Sequence, residues 1–71
     1  MTTLTVTAQV LNVRLFPWTG SREPPILRLL RAGTRVVVCG VYQPAGLAYG
    51  WACISPDGGE WVSCRYLEAA K

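Results

Sequence analysis

The sequence predicts an all-β domain, a small barrel of five to six short antiparallel strands, and three observations carry that expectation. Residues 34–42 are rich in valine, a β-branched residue that packs well on a pleated surface. Pro56-Asp57-Gly58-Gly59 separates two short apolar stretches and offers residues that tolerate the positive φ of a tight hairpin. Turn signals recur at short, regular intervals along the whole chain, as expected of many short strands.

In chain order, residues 2–7 alternate Thr with Leu and Val, the period-2 pattern of a half-buried strand. The pattern runs on through Val10, Leu11 and Val13, either as one first strand or as a leading strand plus its partner. Residues 16–25 hold Pro17, Gly20, Pro24 and Pro25, so they form a long loop and neither a helix nor a central strand. Between that proline pair and Ala32-Gly33, residues 26–30 read as a short strand. Residues 34–42 make the clearest strand, and the Gly- and Ala-containing stretch 43–50 is a second loop. Residues 51–55 and 60–63 then flank the Pro56-Asp57-Gly58-Gly59 hairpin turn. Arg65-Tyr66-Leu67 closes the chain as a 3₁₀ turn or a final strand, leaving residues 68–71 as a frayed tail.

The 71 residues fit one domain, residues 1–71 with a core of about 4–67, near the lower size limit for a self-sufficient core. Hydrophobic residues make up 51% of the chain, so a core is feasible, whereas only 15% are charged, which points to an apolar face covered by a partner or by neighbouring domains. No apolar run approaches the roughly 18 residues of a membrane span, and no basic stretch followed by an apolar core opens the chain. The expectation is therefore no membrane span and no signal peptide within these residues. The formal charge of +3 comes from arginines at 14, 22, 28, 31, 35 and 65 and one lysine against four acids. Scattered in this way, they give no nucleic-acid footprint, only mild attraction to an anionic surface.

Catalysis finds little support. The chain has no histidine, its four acids form no evident pair, and no group stands ready to activate a cysteine. The expectation is a non-enzyme without cofactor. Cys39, Cys53 and Cys64 lack C-x-x-C spacing, and a zinc site would need a fourth ligand, so no metal is expected. If Val41 pairs with Trp51, Cys39 falls opposite Cys53, and a disulfide is open to them in an oxidising compartment. The competing reading treats them as small half-buried hydrophobes.

Several short motifs occur in a telling order: Leu11-Asn12-Val13-Arg14, a proline turn at Pro17, Ile26, Leu27 and Leu30, then Gly33 leading into Val36-Val37-Val38, Trp51, and a closing Trp61-Val62 with Tyr66-Leu67. From about Val10 to Leu67 this resembles the bacterial SH3 domain family, small SH3-like barrels that serve as binding modules. The chain departs from the family pattern at Leu15 and Phe16, where a small turn is usual, at Glu60, where glycine is usual, and in the longer loop 43–50.

The resemblance implies that the two long loops and the strands between them converge on one groove. Seven residues are the expected ligand contacts: Phe16, Trp18 and Arg22 in the first loop, Tyr42 and Tyr49 beside the second, and Trp51 and Trp61 on the strands. Aromatic side chains there offer large rigid area with a polar tip, suited to an extended peptide or glycan. Trp51, Trp61 and Tyr66 could instead belong to the core and its rim, and Arg14 could tie down the loop rather than meet a ligand. Inward-pointing Ile54 and Val62 would send Trp51, Cys53 and Trp61 to the opposite face. The family most often implies recognition of cell-wall peptide or glycan, with the domain in the cell envelope or outside the cell as part of a secreted parent. The alternative is a structural or assembly module that docks to a protein partner or self-associates. Nucleic acid is supported only by the basic balance.

Overall fold

The computed structural model describes residues 2–20 and 22–69. Among them are eight short strands: β1 Thr2–Val6, β2 Val10–Arg14, β3 Ile26–Arg31, β4 Arg35–Val38, β5 Gly40–Tyr42, β6 Trp51–Cys53, β7 Trp61–Ser63 and β8 Leu67–Ala69. They form two antiparallel sheets, one ordered β4-β1-β8 and the other β3-β2-β7-β6-β5. Among the described residues no helix is long and apolar enough to cross a membrane.

The all-β expectation holds; among the described residues there are eight strands where five to six were expected, in two sheets that form no closed barrel. The difference arises where the chain passes from sheet to sheet. The 2–13 run splits around residues 7–9, and the 34–42 run breaks at Cys39, so each long strand becomes two. Strands that switch sheets make corners in packed β domains. Each corner donates its backbone N–H across the domain: Thr7 to the Tyr66 carbonyl at 2.8 Å, Cys39 to the Cys53 carbonyl at 2.8 Å, and Cys64 to the Gly50 carbonyl at 2.9 Å.

Alternation along the strands sends one set of side chains between the sheets. Val6, Leu11, Val13, Leu30, Val36, Val38, Ala52 and Val62 form the buried core, flanked by Leu4, Ile54, Cys64 and Leu67. Among the described residues this core cluster is thus aliphatic, and no aromatic side chain belongs to it. Trp51 and Trp61 are half-buried and Tyr66 is exposed, so of the reading that gave them to the core and its rim, the core part does not hold.

The chain end also differs from expectation. Cys64–Tyr66 is a 3₁₀ turn, capped by Ser63 Oγ accepting from the Arg65 N–H, and it leads directly into β8. Glu68 and Ala69 pair with Thr5 and Leu4, so they are sheet and not tail, because β1 would otherwise leave one side of its ladder unpaired. The rest of the expected tail, residues 70–71, lies outside the described residues.

The hairpin at 56–59 forms as its residues dictate. The Gly58 N–H donates to the Ser55 carbonyl at 3.0 Å, and Gly58 takes a φ of 79°, a left-handed conformation that glycine adopts without a Cβ clash. Asp57 accepts from the Ser55 hydroxyl and from the Gly59 N–H, and these bonds hold its carboxyl below the ordinary value.

The expected pairing of Val41 with Trp51 is corrected by one residue. Tyr42 stands opposite Trp51, Val41 opposite Ala52, and Gly40 opposite Cys53. A one-residue shift moves a side chain to the other face of a sheet. Cys39 therefore does not face Cys53: Cys39 is exposed, Cys53 is buried, and all three cysteines are free thiols. Burial pushes the Cys64 thiol up.

Candidate functional site

The outer face of the five-stranded sheet carries the aromatic and polar side chains that the aliphatic core leaves out. In β2, Leu11 and Val13 point into the core, so Asn12 and Arg14 occupy the opposite face. The ladder then sets Arg14 opposite Trp61, Trp61 opposite Cys53, and Trp51 between Ser63 and Tyr42. Trp51, Cys53 and Trp61 thus share one face while Ala52 and Val62 face the core, as alternation requires.

Arg14 organises one wall. It is only 7% exposed, and its Nη1 donates to the Pro24 carbonyl at 2.8 Å and to Glu23 Oε2 at 3.2 Å. A β-bulge falls beside it: Val13 pairs with Arg28 but Arg14 pairs with Ile26, leaving Leu27 as the extra residue. Bulges re-aim neighbouring side chains and bend the strand. The first loop closes over the arginine, and the Trp18 ring stacks on the guanidinium with 4.8 Å between Cζ and ring centroid. The Trp18 indole N–H donates to the Gly20 carbonyl at 2.9 Å, which fixes the ring at the rim.

The second loop makes the other wall. Gln43 Nε2 donates to the Leu47 carbonyl at 3.0 Å, bridging the loop from within. At its base Gly50 is buried, and a Cβ there would sit 2.9 Å from the Tyr42 carbonyl oxygen. Only glycine permits that close approach, which brings Tyr49 and Trp51 up to the groove. The 3₁₀ turn adds Arg65 and Tyr66. The Arg65 Cζ lies 5.8 Å from the Tyr49 ring centroid and 5.6 Å from that of Tyr66, so its guanidinium links the 3₁₀ turn to the second loop by cation–π contact.

Between these walls runs a groove of about 560 Å³, with Leu11, Asn12, Trp51 and Ser63 along the strands, Trp18 on one side, and Leu47, Ala48 and Tyr49 on the other. Ala8, Val10, Arg14, Arg65 and Tyr66 complete its lining. Among the described residues its lining holds two arginines and no carboxylate. A mostly apolar cleft with a few polar groups is the usual form of a ligand site.

Of the residues expected to contact a ligand, Trp18, Tyr49 and Trp51 line the groove, whereas Phe16, Arg22, Tyr42 and Trp61 do not. Phe16 and Arg22 stack on one another within the first loop, at 5.5 Å. Tyr42 flanks Trp51 farther along the sheet. Trp61 turns its indole N–H to the Gly58 carbonyl at 2.8 Å, towards the hairpin. Arg65 is a groove residue that the sequence did not single out. No local pattern marks it, because its place depends on how the 3₁₀ turn packs against the second loop.

Glu60 receives Arg28 in a two-pronged pair across β2, with Nε donating to Oε2 at 3.2 Å and Nη2 to Oε1 at 2.9 Å. Glu23 and Glu60 are therefore each engaged by an arginine and lie apart from the groove lining.

No protein-family model, curated protein or solved structure matches this chain.

Proposed function

We propose that this chain is a non-catalytic binding module of the bacterial SH3 type that recognises cell-wall peptide or glycan in the groove between its two long loops. The observation that carries the reading is the segregation of side chains. The core is wholly aliphatic, and Trp18, Tyr49, Trp51 and Tyr66 gather around one cleft on the outer face of the larger sheet. Burying aromatic area is a strong stabilising resource for a small domain. Leaving it at a solvent-open groove is understandable if a ligand completes the burial. The order of the elements, with a long loop between β2 and β3, a second between β5 and β6, and a 3₁₀ turn before the last strand, supports the SH3-type assignment.

The test is co-sedimentation of the domain with purified cell-wall sacculi at low and moderate salt, beside Trp18→Ala. Retention that survives salt and is lost in the variant supports a wall-targeting groove; a domain that stays in solution throughout overturns it.

One observation favours a second reading, assembly with a protein partner or a second copy. β3 is an edge strand with Ile26, Leu27 and Leu29 all exposed, Leu29 to 58%. Apolar edge strands invite pairing with another chain. A mass that rises with concentration in analytical ultracentrifugation, and falls back in Leu29→Lys, would favour this reading over the groove.

A further inference from the structure

We infer that the groove selects ligands bearing a free carboxylate, which Arg65 receives, so that its target in the wall is the acidic stem peptide and not the neutral glycan strand. The inference rests on the groove being the ligand site.

The two arginines of the groove differ in what is left to them. Arg14 already engages its Nη1 with the Pro24 carbonyl and Glu23 and lies buried under Trp18. The Arg65 guanidinium has no hydrogen-bond acceptor and no carboxylate among the described residues; its contacts are the faces of Tyr49 and Tyr66. Cation–π contact uses none of the guanidinium N–H groups as hydrogen-bond donors to an oxygen, so a carboxylate can meet two of them at once. Glu23 is the carboxylate that accompanies Arg14, and none lines the groove, so the cleft carries unbalanced positive charge at Arg65. Ser63 and Asn12 on the adjoining floor add neutral polar groups suited to a peptide backbone.

Charge decides between the two wall components. A neutral sugar strand offers Arg65 only uncharged acceptors, which offset the desolvation of the guanidinium less well than a two-pronged, charge-assisted bond to a carboxylate. An extended peptide with a terminal or side-chain carboxylate supplies the missing acceptor while its backbone follows the aromatic wall.

The test compares a soluble stem peptide with free carboxylates against the same peptide fully amidated, by calorimetric titration of the wild-type domain, Arg65→Gln and Arg65→Lys. The expected result is about tenfold tighter binding of the free acid to the wild type, since an Arg–carboxylate contact at a solvent-open site is only partly desolvated. That preference should fall to near unity in Arg65→Gln and survive in part in Arg65→Lys. The ratio, unlike affinity itself, would not move if Arg65 served only to hold Tyr49 and Tyr66 together. Should Arg65→Gln fail to fold, the wild-type ratio alone decides. Equal binding of both peptides, an unchanged ratio in Arg65→Gln, or no binding of either peptide while sacculi still retain the domain overturns the carboxylate assignment and leaves the groove reading standing. Loss of both peptide binding and sacculus retention overturns the two together.

Discussion

The two loops that wall the groove are built on different principles. The first loop is held from beneath: Arg14, buried on the sheet, donates to the Pro24 carbonyl, pairs with Glu23 and carries Trp18 on its guanidinium, while Pro17, Pro24 and Pro25 limit the backbone. The second loop is held from within and from its base, by Gln43 reaching the Leu47 carbonyl, by the Leu47 N–H at 3.4 Å from the Pro44 carbonyl, and by the close approach at Gly50. One wall thus depends on a charged group inside the fold, and the other on local polar contacts at the surface. For the binding role proposed above, a side held in place in advance lowers the ordering cost of binding.

Removing the anchor of the first wall should have the largest effect. Arg14→Ala strips the Pro24 carbonyl of its donor and Trp18 of its platform, and should cost about 2–3 kcal/mol, within the range for hydrogen bonds to charged groups. For a domain this small that corresponds to a fall of roughly 10–20 °C in the unfolding midpoint, and differential scanning calorimetry checks it. Gly50→Ala strikes the base of the second wall. The Gln43 side chain can move aside but the Tyr42 carbonyl cannot, so the cost should be about 1–3 kcal/mol, read from urea unfolding. Gln43→Ala removes only an exposed bond and should change stability by less than about 1 kcal/mol. Its effect should appear instead as faster amide exchange within residues 43–50. If Gln43→Ala proved as costly as Arg14→Ala, the contrast between the walls would fail.

The hairpin at 56–59 lies outside both walls and gives the smallest effect. The Asp57 carboxyl is held below its ordinary value by the Ser55 hydroxyl and the Gly59 N–H. Its ionised form therefore favours the fold at pH above the usual carboxylate range, and that contribution is lost as pH falls through the lowered folded-state value. A modest decline in the unfolding midpoint below about pH 4, absent in Asp57→Asn, would report it. The groove walls should not respond in that variant.

Much of this architecture was legible in the residues themselves. Alternation located β1 and β2, the prolines located the first loop, and Asp57-Gly58 located the hairpin, because each depends on local backbone preference. The corners were not legible. Nothing local separates Val38 from Gly40, and the break at Cys39 follows from the need to pair with β1 on one side and β6 on the other. Register was similarly hidden. One residue of shift put Cys39 on the outside, and loop length could not choose between the two pairings. Among the site residues, the loop aromatic Trp18 was visible because a loop has no periodic reason to be apolar. Arg65 was not, since its role exists only once Tyr49 and Tyr66 are brought together from separate parts of the chain.

The central claim is that the ligand occupies the cleft between the two walls and not some other part of the aromatic surface. The three tryptophans provide the readout: Trp18 and Trp51 line the cleft, whereas Trp61 bonds its indole N–H to Gly58 at the hairpin. The most direct measurement is an NMR titration that follows the three indole N–H resonances as soluble cell-wall fragments are added. The account predicts that Trp18 and Trp51 shift together, saturably, while Trp61 stays in place. Shifts confined to Trp61, or no shift in any of the three with fragments in large excess, would contradict it.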